Sequence, residues 1–158
     1  MVMAGVAMAV AVVFLIVSSS GRRLDRMDVT EQQKVLAAFD RMMAAAEALK
    51  VDDLFGHVVD NDQGALASNG QLLLTRADAL ERTRANFRGL AALKYRIAER
   101  HVTMLAPDAA VLVVKGASDA ELADGRKFTN AFVHTIVFVQ RDGAWRVIHS
   151  HQSTPAPR

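Results

Sequence analysis

The sequence contains no cysteine among its 158 residues. This absence excludes a disulfide framework, a thiolate nucleophile and a metal site with cysteine ligands, but it says nothing about the cellular compartment. A glycine-rich phosphate loop, a Walker motif, a GxSxG elbow and an HExxH motif are also missing. We therefore do not expect hydride transfer on a Rossmann domain, ATP hydrolysis or zincin chemistry.

The sequence also has no run of basic residues. Lys and Arg number 19 and Asp and Glu number 17, which leaves a net charge of +2 with 23% charged residues. This balance gives no reason to expect a nucleic-acid partner. The length allows one domain with a respectable core plus a short appendage.

The first 17 residues form an uninterrupted apolar run, MVMAGVAMAVAVVFLIV, which is followed by small residues and then by Arg22-Arg23. A secretory signal peptide fits the length of this run, although no Lys or Arg precedes it. A membrane anchor also fits, and the arginine pair would then favour a cytoplasmic domain. A third interpretation is that translation begins at Met27, which would leave the protein in the cytoplasm.

Of these three interpretations we expect export to the periplasm or exterior, or an anchor with the domain facing outward. The predicted organisation is a signal peptide or membrane anchor at 1–20, a linker at 21–28, a folded domain at 29–154 and a tail at 155–158.

The first half of the domain has the patterns of helices. Apolar residues recur at three- and four-residue spacing and predict an amphipathic helix of about five turns, which would begin with Thr30 as its N-cap and end near Leu49. The apolar residues are Val35, Phe39, Met42, Ala46 and Leu49. A short second helix is expected from Val51 to Val58, broken near Gly56.

A hairpin and a third helix follow. Asn69-Gly70 lies between two short apolar runs and predicts a tight turn. Thr75-x-x-Asp78 resembles a capping box and predicts a helix as far as Ala91. This helix carries several arginines, for which a solvated face is the usual explanation and anion binding the alternative. They are Arg76, Arg82, Arg84 and Arg88.

The second half predicts four long strands. Lys94–Ala106 and Ala109–Leu122 read as an antiparallel pair, with Gly116 marking a bulge or bend. Lys127–Gln140 and the segment from Trp145 to Ser153 form a hairpin around Asp142-Gly143. The order of elements predicts an α+β fold, in which helices pack on one face of a curved, mostly antiparallel sheet.

The terminal hairpin suggests where a site lies. By strict alternation the last strand places Trp145, Val147, His149, His151 and Ser153 on one face. We therefore expect this face to begin in the core and to end at a pocket. The preceding strand is apolar on both faces, which predicts that both are covered, and a second copy of the chain is a candidate for the second cover.

These features together resemble the nuclear transport factor 2-like superfamily, and within it the SnoaL-like, ketosteroid-isomerase-like small domains. The most specific residues are Thr135 and then Asp142-Gly143-x-Trp145-Arg146-Val147-Ile148-His149-x-His151-x-Ser153. The resemblance extends from about Thr30 to Thr154. It implies a cone-shaped α+β barrel with a cavity between helices and sheet, and dimerisation through the outer face of the sheet. It implies no single chemistry, because this fold carries enzymes and non-catalytic domains alike.

Several side chains are candidates for the site. His149 and His151 can chelate a metal only if a further ligand such as His134 or Asp60 lies near, and since neither can be placed we predict no metal and no cofactor. His151 is a candidate acid or base, and the isomerase resemblance suggests Asp60 or Asp62 as its partner. The predicted ligand-binding residues are His149, His151, His134, Tyr95 and Trp145.

The candidate side chains also have simpler, purely structural interpretations. A histidine in a polar pocket often does no more than form hydrogen bonds, and Trp145 has the character of a core residue. An oxyanion arrangement of a tyrosine with a protonated aspartate, as in the isomerase relative, cannot be assigned, since Tyr95 is the only tyrosine. Three functions stay open: a dimeric domain that binds a small, largely apolar molecule, a cofactor-free isomerase, dehydratase or cyclase, and a membrane-anchored oligomerisation domain.

Overall fold

The structure, a computed structural model, describes residues 28–155. The predicted signal peptide or anchor at 1–20, the alternative start at Met27 and the end of the tail lie outside the described residues. Within residues 28–155, no helix is both long enough and apolar enough to cross a membrane.

The described residues form three helices packed on a six-stranded sheet. The helices are α1 (28–47), α2 (Val51–Phe55) and α3 (Arg76–Phe87). The strands are β1 (Leu66–Ser68), β2 (Gln71–Leu73), β3 (Leu90–Ala106), β4 (Ala109–Leu122), β5 (Lys127–Arg141) and β6 (Ala144–Ser153). The sheet order is β2-β1-β6-β5-β4-β3. All neighbours are antiparallel except β1 and β6, which are parallel. The predicted α+β class is confirmed.

The helix α1 covers the inner face of the sheet, which is the face that packs against the helices. Its predicted apolar stripe is confirmed, because Val35, Phe39, Met42 and Ala46 are all buried. Val35, Phe39 and Met42 belong to the hydrophobic core, which they share with residues of β4, β5 and β6 such as Leu112, Phe138 and Val147. Burial of apolar area of this kind is the main stabilising term of the fold.

Glu31 fixes the N-terminal turn of α1 to the sheet. Its Oε2 accepts hydrogen bonds from Trp145 Nε1 and from Gln140 Nε2, both at 3.0 Å. One detail of the predicted helix is wrong: residues 28–30 are already helical, so Thr30 is not the N-cap. The helix ends at 47, close to the predicted end, and Leu49 has a left-handed backbone with a φ of 58°.

The predicted turns are confirmed by the backbone. Asn69-Gly70 joins β1 to β2 and Asp142-Gly143 joins β5 to β6, and all four residues have positive φ. The cap of α3 is also as predicted, since Thr75 Oγ1 accepts a hydrogen bond from the amide of Asp78 at 3.0 Å.

Gly116 lies where the ladder between β3 and β4 is irregular. The register shifts between Ile97 and Glu99, directly beside this glycine. A Cβ atom at position 116 would lie 2.5 Å from the carbonyl oxygen of Arg96, so only glycine allows the two strands to approach so closely. The extra residue is Ala98 of β3, so the irregularity lies at the point predicted from Gly116 but in the strand opposite this glycine. Bulges of this type bend a sheet.

Another irregularity lies in β6. Val137 of β5 is opposite His149, but the next residue, Phe138, is opposite Val147, so Ile148 is an extra residue in β6. The carbonyl oxygen of Ile148 accepts a hydrogen bond of 3.0 Å from Asn61 Nδ2. The extra residue changes which side chains after it face the helices.

Candidate functional site

A cavity of about 390 Å³ lies between the helices and the inner face of the sheet. Its apolar walls come from α1, the region of α2, α3 and the sheet, and include Phe39, Met42, Met43, Ala46, Leu54, Phe55, Val58, Leu73, Phe87, Phe132, Ile136 and Val147. This volume is at the lower end of the range of about 300–1,000 Å³ for small-molecule sites.

The sheet side of the cavity carries polar groups. His134 of β5 and Ser150 and Gln152 of β6 line it. Their common orientation follows from the register, because Gln152 is directly opposite His134 and Ser150 is directly opposite Ile136. Directly opposite residues of an antiparallel pair point to the same face.

His134 is held in its neutral form. Burial, with a smaller repulsion from His151, lowers its pKa from 6.5 to about 4. Its Nε2 is buried and has no hydrogen-bond partner among the residues that the structure describes. A buried polar atom without a partner costs free energy, so a water or ligand group that reached this nitrogen would be favourable.

Tyr95 lines the cavity from β3. Its ring packs edge-on against Phe132, with 5.9 Å between the ring centroids. Burial and the nearby carboxylate of Glu47 raise the pKa of the Tyr95 phenol, so the hydroxyl keeps its proton. It is therefore available as a neutral donor or acceptor.

The exposed polar residues of the lining mark the opening of the cavity, which we call the mouth. They are Asn69, Gln71, Arg82 and Asn86. Arg82 Nη2 donates a hydrogen bond to Gln71 Oε1 at 2.8 Å, and this bond joins α3 to β2 across the mouth.

The structure therefore brings two of the predicted ligand-binding residues, His134 and Tyr95, to the cavity. It does not bring His149 and His151 there. His149 is opposite Val137 and His151 is opposite Thr135, both on the outer face of the sheet, which is the face away from the helices. The predicted single face from Trp145 to Ser153 is wrong, because Ile148 is an extra residue and the alternation reverses after it.

His149 and His151 have different surroundings on that outer side. The Nδ1–H of His149 donates to the carbonyl oxygen of Gly64 at 2.6 Å, a structural hydrogen bond to the loop before β1. The side chain of His151 is exposed, and it is not part of the cavity lining.

The other three candidates also lie away from the cavity. Asp60 and Asp62 are exposed residues of the loop between α2 and β1, and neither is part of the lining. Trp145 is buried in the core and donates its indole N–H to Glu31. The geometry gives no support to a pair of His151 with Asp60 or Asp62 acting on a molecule in the cavity.

No group of three or more His, Cys, Asp or Glu side chains that could hold a metal is found within residues 28–155. The metal arrangement of His149, His151 and His134 is not formed, because His134 faces the cavity and the other two face outward.

The residues that the sequence did not single out are Ser150, Gln152 and the mouth residues. One signal for the first two was present, since the adjacent apolar residues Val147-Ile148 interrupt the alternation of β6. After this interruption the inner face continues with Ser150 and Gln152 rather than with the histidines.

Comparison with known proteins identifies the family. Residues 35–157 match the SnoaL-like domain. The chain belongs to this family, as the resemblance predicted, and the nuclear transport factor 2-like fold is confirmed. None of the curated proteins compared with the chain matches it.

Solved structures agree on the fold. A nuclear transport factor 2-like protein of unknown function from Shewanella oneidensis is 23% identical with a TM-score of 0.61, over 78% of this chain and 98% of that one. A proposed calcium/calmodulin-dependent protein kinase II association domain from Xanthomonas campestris is 22% identical with a TM-score of 0.68, over 78% and 87%. A proposed scytalone dehydratase from Novosphingobium aromaticivorans is 10% identical with a TM-score of 0.74, over 84% and 89%.

Proposed function

We propose that this SnoaL-like domain binds a small, largely apolar molecule in the cavity between its helices and its sheet. The observation that supports this most is the cavity itself, whose apolar walls come from both layers of the fold. A few polar groups, among them His134, Ser150 and Gln152, interrupt these walls. Mostly apolar walls with a small number of polar groups are typical of sites for small organic molecules.

The proposal is tested by blocking the cavity. Ser150→Phe places an aromatic ring in the cavity, and Ser153→Phe places the same ring near the end of the same strand, on the outer face. We expect native mass spectrometry of protein purified from its own host to detect a small molecule retained by the wild type and by Ser153→Phe, but not by Ser150→Phe. Thermal melting checks that both variants are folded. Equal retention by both folded variants would contradict the proposal.

An acid/base enzyme is the second candidate, and the dehydratase name of one structural relative favours it. Such chemistry requires a base in contact with the substrate. Within the described residues the cavity lining includes no Asp or Glu, and the low pKa of His134 makes its imidazole a weak base. These observations favour binding over catalysis.

A membrane-anchored oligomerisation domain is the third candidate. One structural relative is named as an association domain, which supports assembly as the role. An assembly domain has no need of an open interior, so the cavity again favours ligand binding.

Dimerisation through the outer face of the sheet is part of the proposal. Val113 of β4 and Val133 of β5 lie on this face with 38% and 44% of their surfaces exposed. Val111, Val137 and Val139 lie on the same face and are partly buried. An apolar patch of this kind on a sheet favours a protein partner, and the family resemblance, which implies dimerisation through this face, favours a second copy.

We also propose that residues 1–17 direct the domain out of the cytoplasm or anchor it on the outer side of a membrane. The apolar run in the sequence supports this, and the arginine pair Arg22-Arg23 supports the alternative of an inward-facing anchor.

A further inference from the structure

We infer that the molecule bound in the cavity carries an anionic group such as a carboxylate, and that Arg82 binds this group at the mouth while the apolar part fills the interior. This inference rests on the proposed function, since it specifies the chemistry of the ligand for the same cavity.

The structure distinguishes Arg82 from the other arginines of α3 and from Arg88, which directly follows this helix. Arg76 donates twice to the carbonyl oxygen of Phe55, at 3.1 and 2.8 Å. Arg84 pairs with Asp52 and Glu81, and Arg88 lies 3.6 Å from Glu81. These three arginines therefore have structural partners or acidic neighbours.

Arg82 is different in both position and partner. It lines the cavity, and within residues 28–155 the bond recorded for its guanidinium is the one to the neutral amide oxygen of Gln71. A guanidinium has five N–H donors, so one such bond leaves most of them for water or for a ligand.

The charge of the lining is consequently positive. Arg82 is its one permanently charged side chain in the part of the chain that the structure describes, and no carboxylate of the lining offsets it. His134 is neutral near pH 7, because burial lowers its pKa to about 4. A single uncompensated charge at the edge of an apolar cavity favours a ligand of opposite charge.

Amide groups near Arg82 add further donors. Gln71 accepts from Arg82 through Oε1, so its Nε2 can donate elsewhere. Asn69 accepts from Thr154 through Oδ1 at 3.0 Å, which leaves its Nδ2 as a donor. Arginine and amide donors on one rim match the acceptor oxygens of a carboxylate, whose charge also strengthens each hydrogen bond.

The interior of the cavity determines the chemical character of the rest of the ligand. Phe39, Met42, Phe87 and Phe132 line it with apolar surface, and methionine side chains adapt to ligands of different shapes. A carboxylate joined to a flexible or ring-shaped hydrocarbon part satisfies both the rim and the interior.

Three probes with the same alkyl chain test the inference: decanoate, decanol and decyltrimethylammonium. Isothermal titration calorimetry at low salt should give decanoate an affinity about tenfold higher than that of decanol, because a charge-assisted hydrogen bond contributes roughly this much. Decyltrimethylammonium should bind more weakly than either. Added salt should lower the affinity for decanoate and leave the affinity for decanol unchanged.

Arg82→Gln removes the charge and keeps an amide. We expect it to reduce decanoate affinity about tenfold, to the level of decanol, with decanol affinity unchanged. Arg88→Gln is the matched control, since Arg88 directly follows the same helix as its C-cap residue but lies outside the cavity lining, and it should leave both affinities unchanged.

The outcomes distinguish failure of the anionic-group inference from failure of the proposed cavity function. If decanoate and decanol bind equally well, and Ser150→Phe abolishes the binding of both, the inference of an anionic group is wrong and the proposed cavity function is retained. If Arg88→Gln weakens decanoate as much as Arg82→Gln does, the effect is one of general surface charge and the inference is overturned. If none of the three probes binds, the inference is overturned, and the retention of a small molecule by the wild type and by Ser150→Phe decides the proposed function.

Discussion

Thr135 of β5 and His151 of β6 are directly opposite each other. Thr135 lies between His134 and Ile136, whose side chains line the cavity on the inner face, so Thr135 points to the outer face. His151 shares that outer face with it, since directly opposite residues point the same way. The two strands thus present one histidine to the interior, His134, and another to the exterior, His151.

This arrangement predicts different effects for substitutions of the two histidines. His151→Ala should leave thermal stability and decanol binding unchanged, because the side chain is exposed and lies outside the cavity lining. His134→Ala should change the affinity for decanol, since it removes a side chain that lines the cavity. Calorimetry measures the affinity and thermal melting the stability. Loss of decanol binding in folded His151→Ala, with His134→Ala unaffected, would show that the assignment of faces is reversed.

The general fold could be predicted from the sequence because its signals are local. The Asn69-Gly70 and Asp142-Gly143 turns and the cap at Thr75 each depend on residues a few positions apart. The stripe from Val35 to Ala46 depends only on helical spacing.

The site could not be predicted in the same way, because its geometry depends on contacts between distant segments. The extra residue Ile148 is held by Asn61, which lies 87 positions earlier, and β6 also pairs with β1 in parallel. Strict alternation ignores such contacts, and an error of one residue moves every later side chain to the other face.

The arginines of α3 illustrate the same limit. Sequence alone gives Arg82 and Arg84 the same surroundings, since both are exposed positions on one helix. The difference comes from the tertiary partner, which is Asp52 for Arg84 and the Gln71 amide at the mouth for Arg82.

The low pKa of His134 predicts that the domain loses stability in mild acid. The pKa is about 4 in the folded state and near 6.5 in the unfolded state, so the unfolded chain binds more protons between these values. The contribution of neutral His134 to the free energy of unfolding is therefore fully present above pH 6.5, and it is lost as the pH falls towards 4. Between about pH 7.5 and about pH 5 the free energy of unfolding should fall by about 2 kcal/mol from this group. Urea unfolding at the two pH values measures it.

A substitution isolates this contribution. His134→Leu should remove most of the difference between the two pH values, while His101→Ala, at an exposed position of β3, should keep it. Some dependence should remain, because burial and then the nearby Arg41 also lower the pKa of His57. An unchanged difference in folded His134→Leu would mean that another group causes the pH dependence.

The exposed valines of the outer face give the last prediction. Val133→Asp places a carboxylate in the proposed interface between two copies, where it would be desolvated without a partner. We expect the variant to dissociate into monomers at concentrations at which the wild type is a dimer, as measured by sedimentation equilibrium. Val137→Asp, further along the same face beyond Thr135, should act in the same direction. Leu72→Asp is the matched control, because Leu72 is 60% exposed but belongs to β2 at the edge of the sheet, three strands away from β5. If folded Val133→Asp and the wild type sediment alike, the outer face is not where two copies meet.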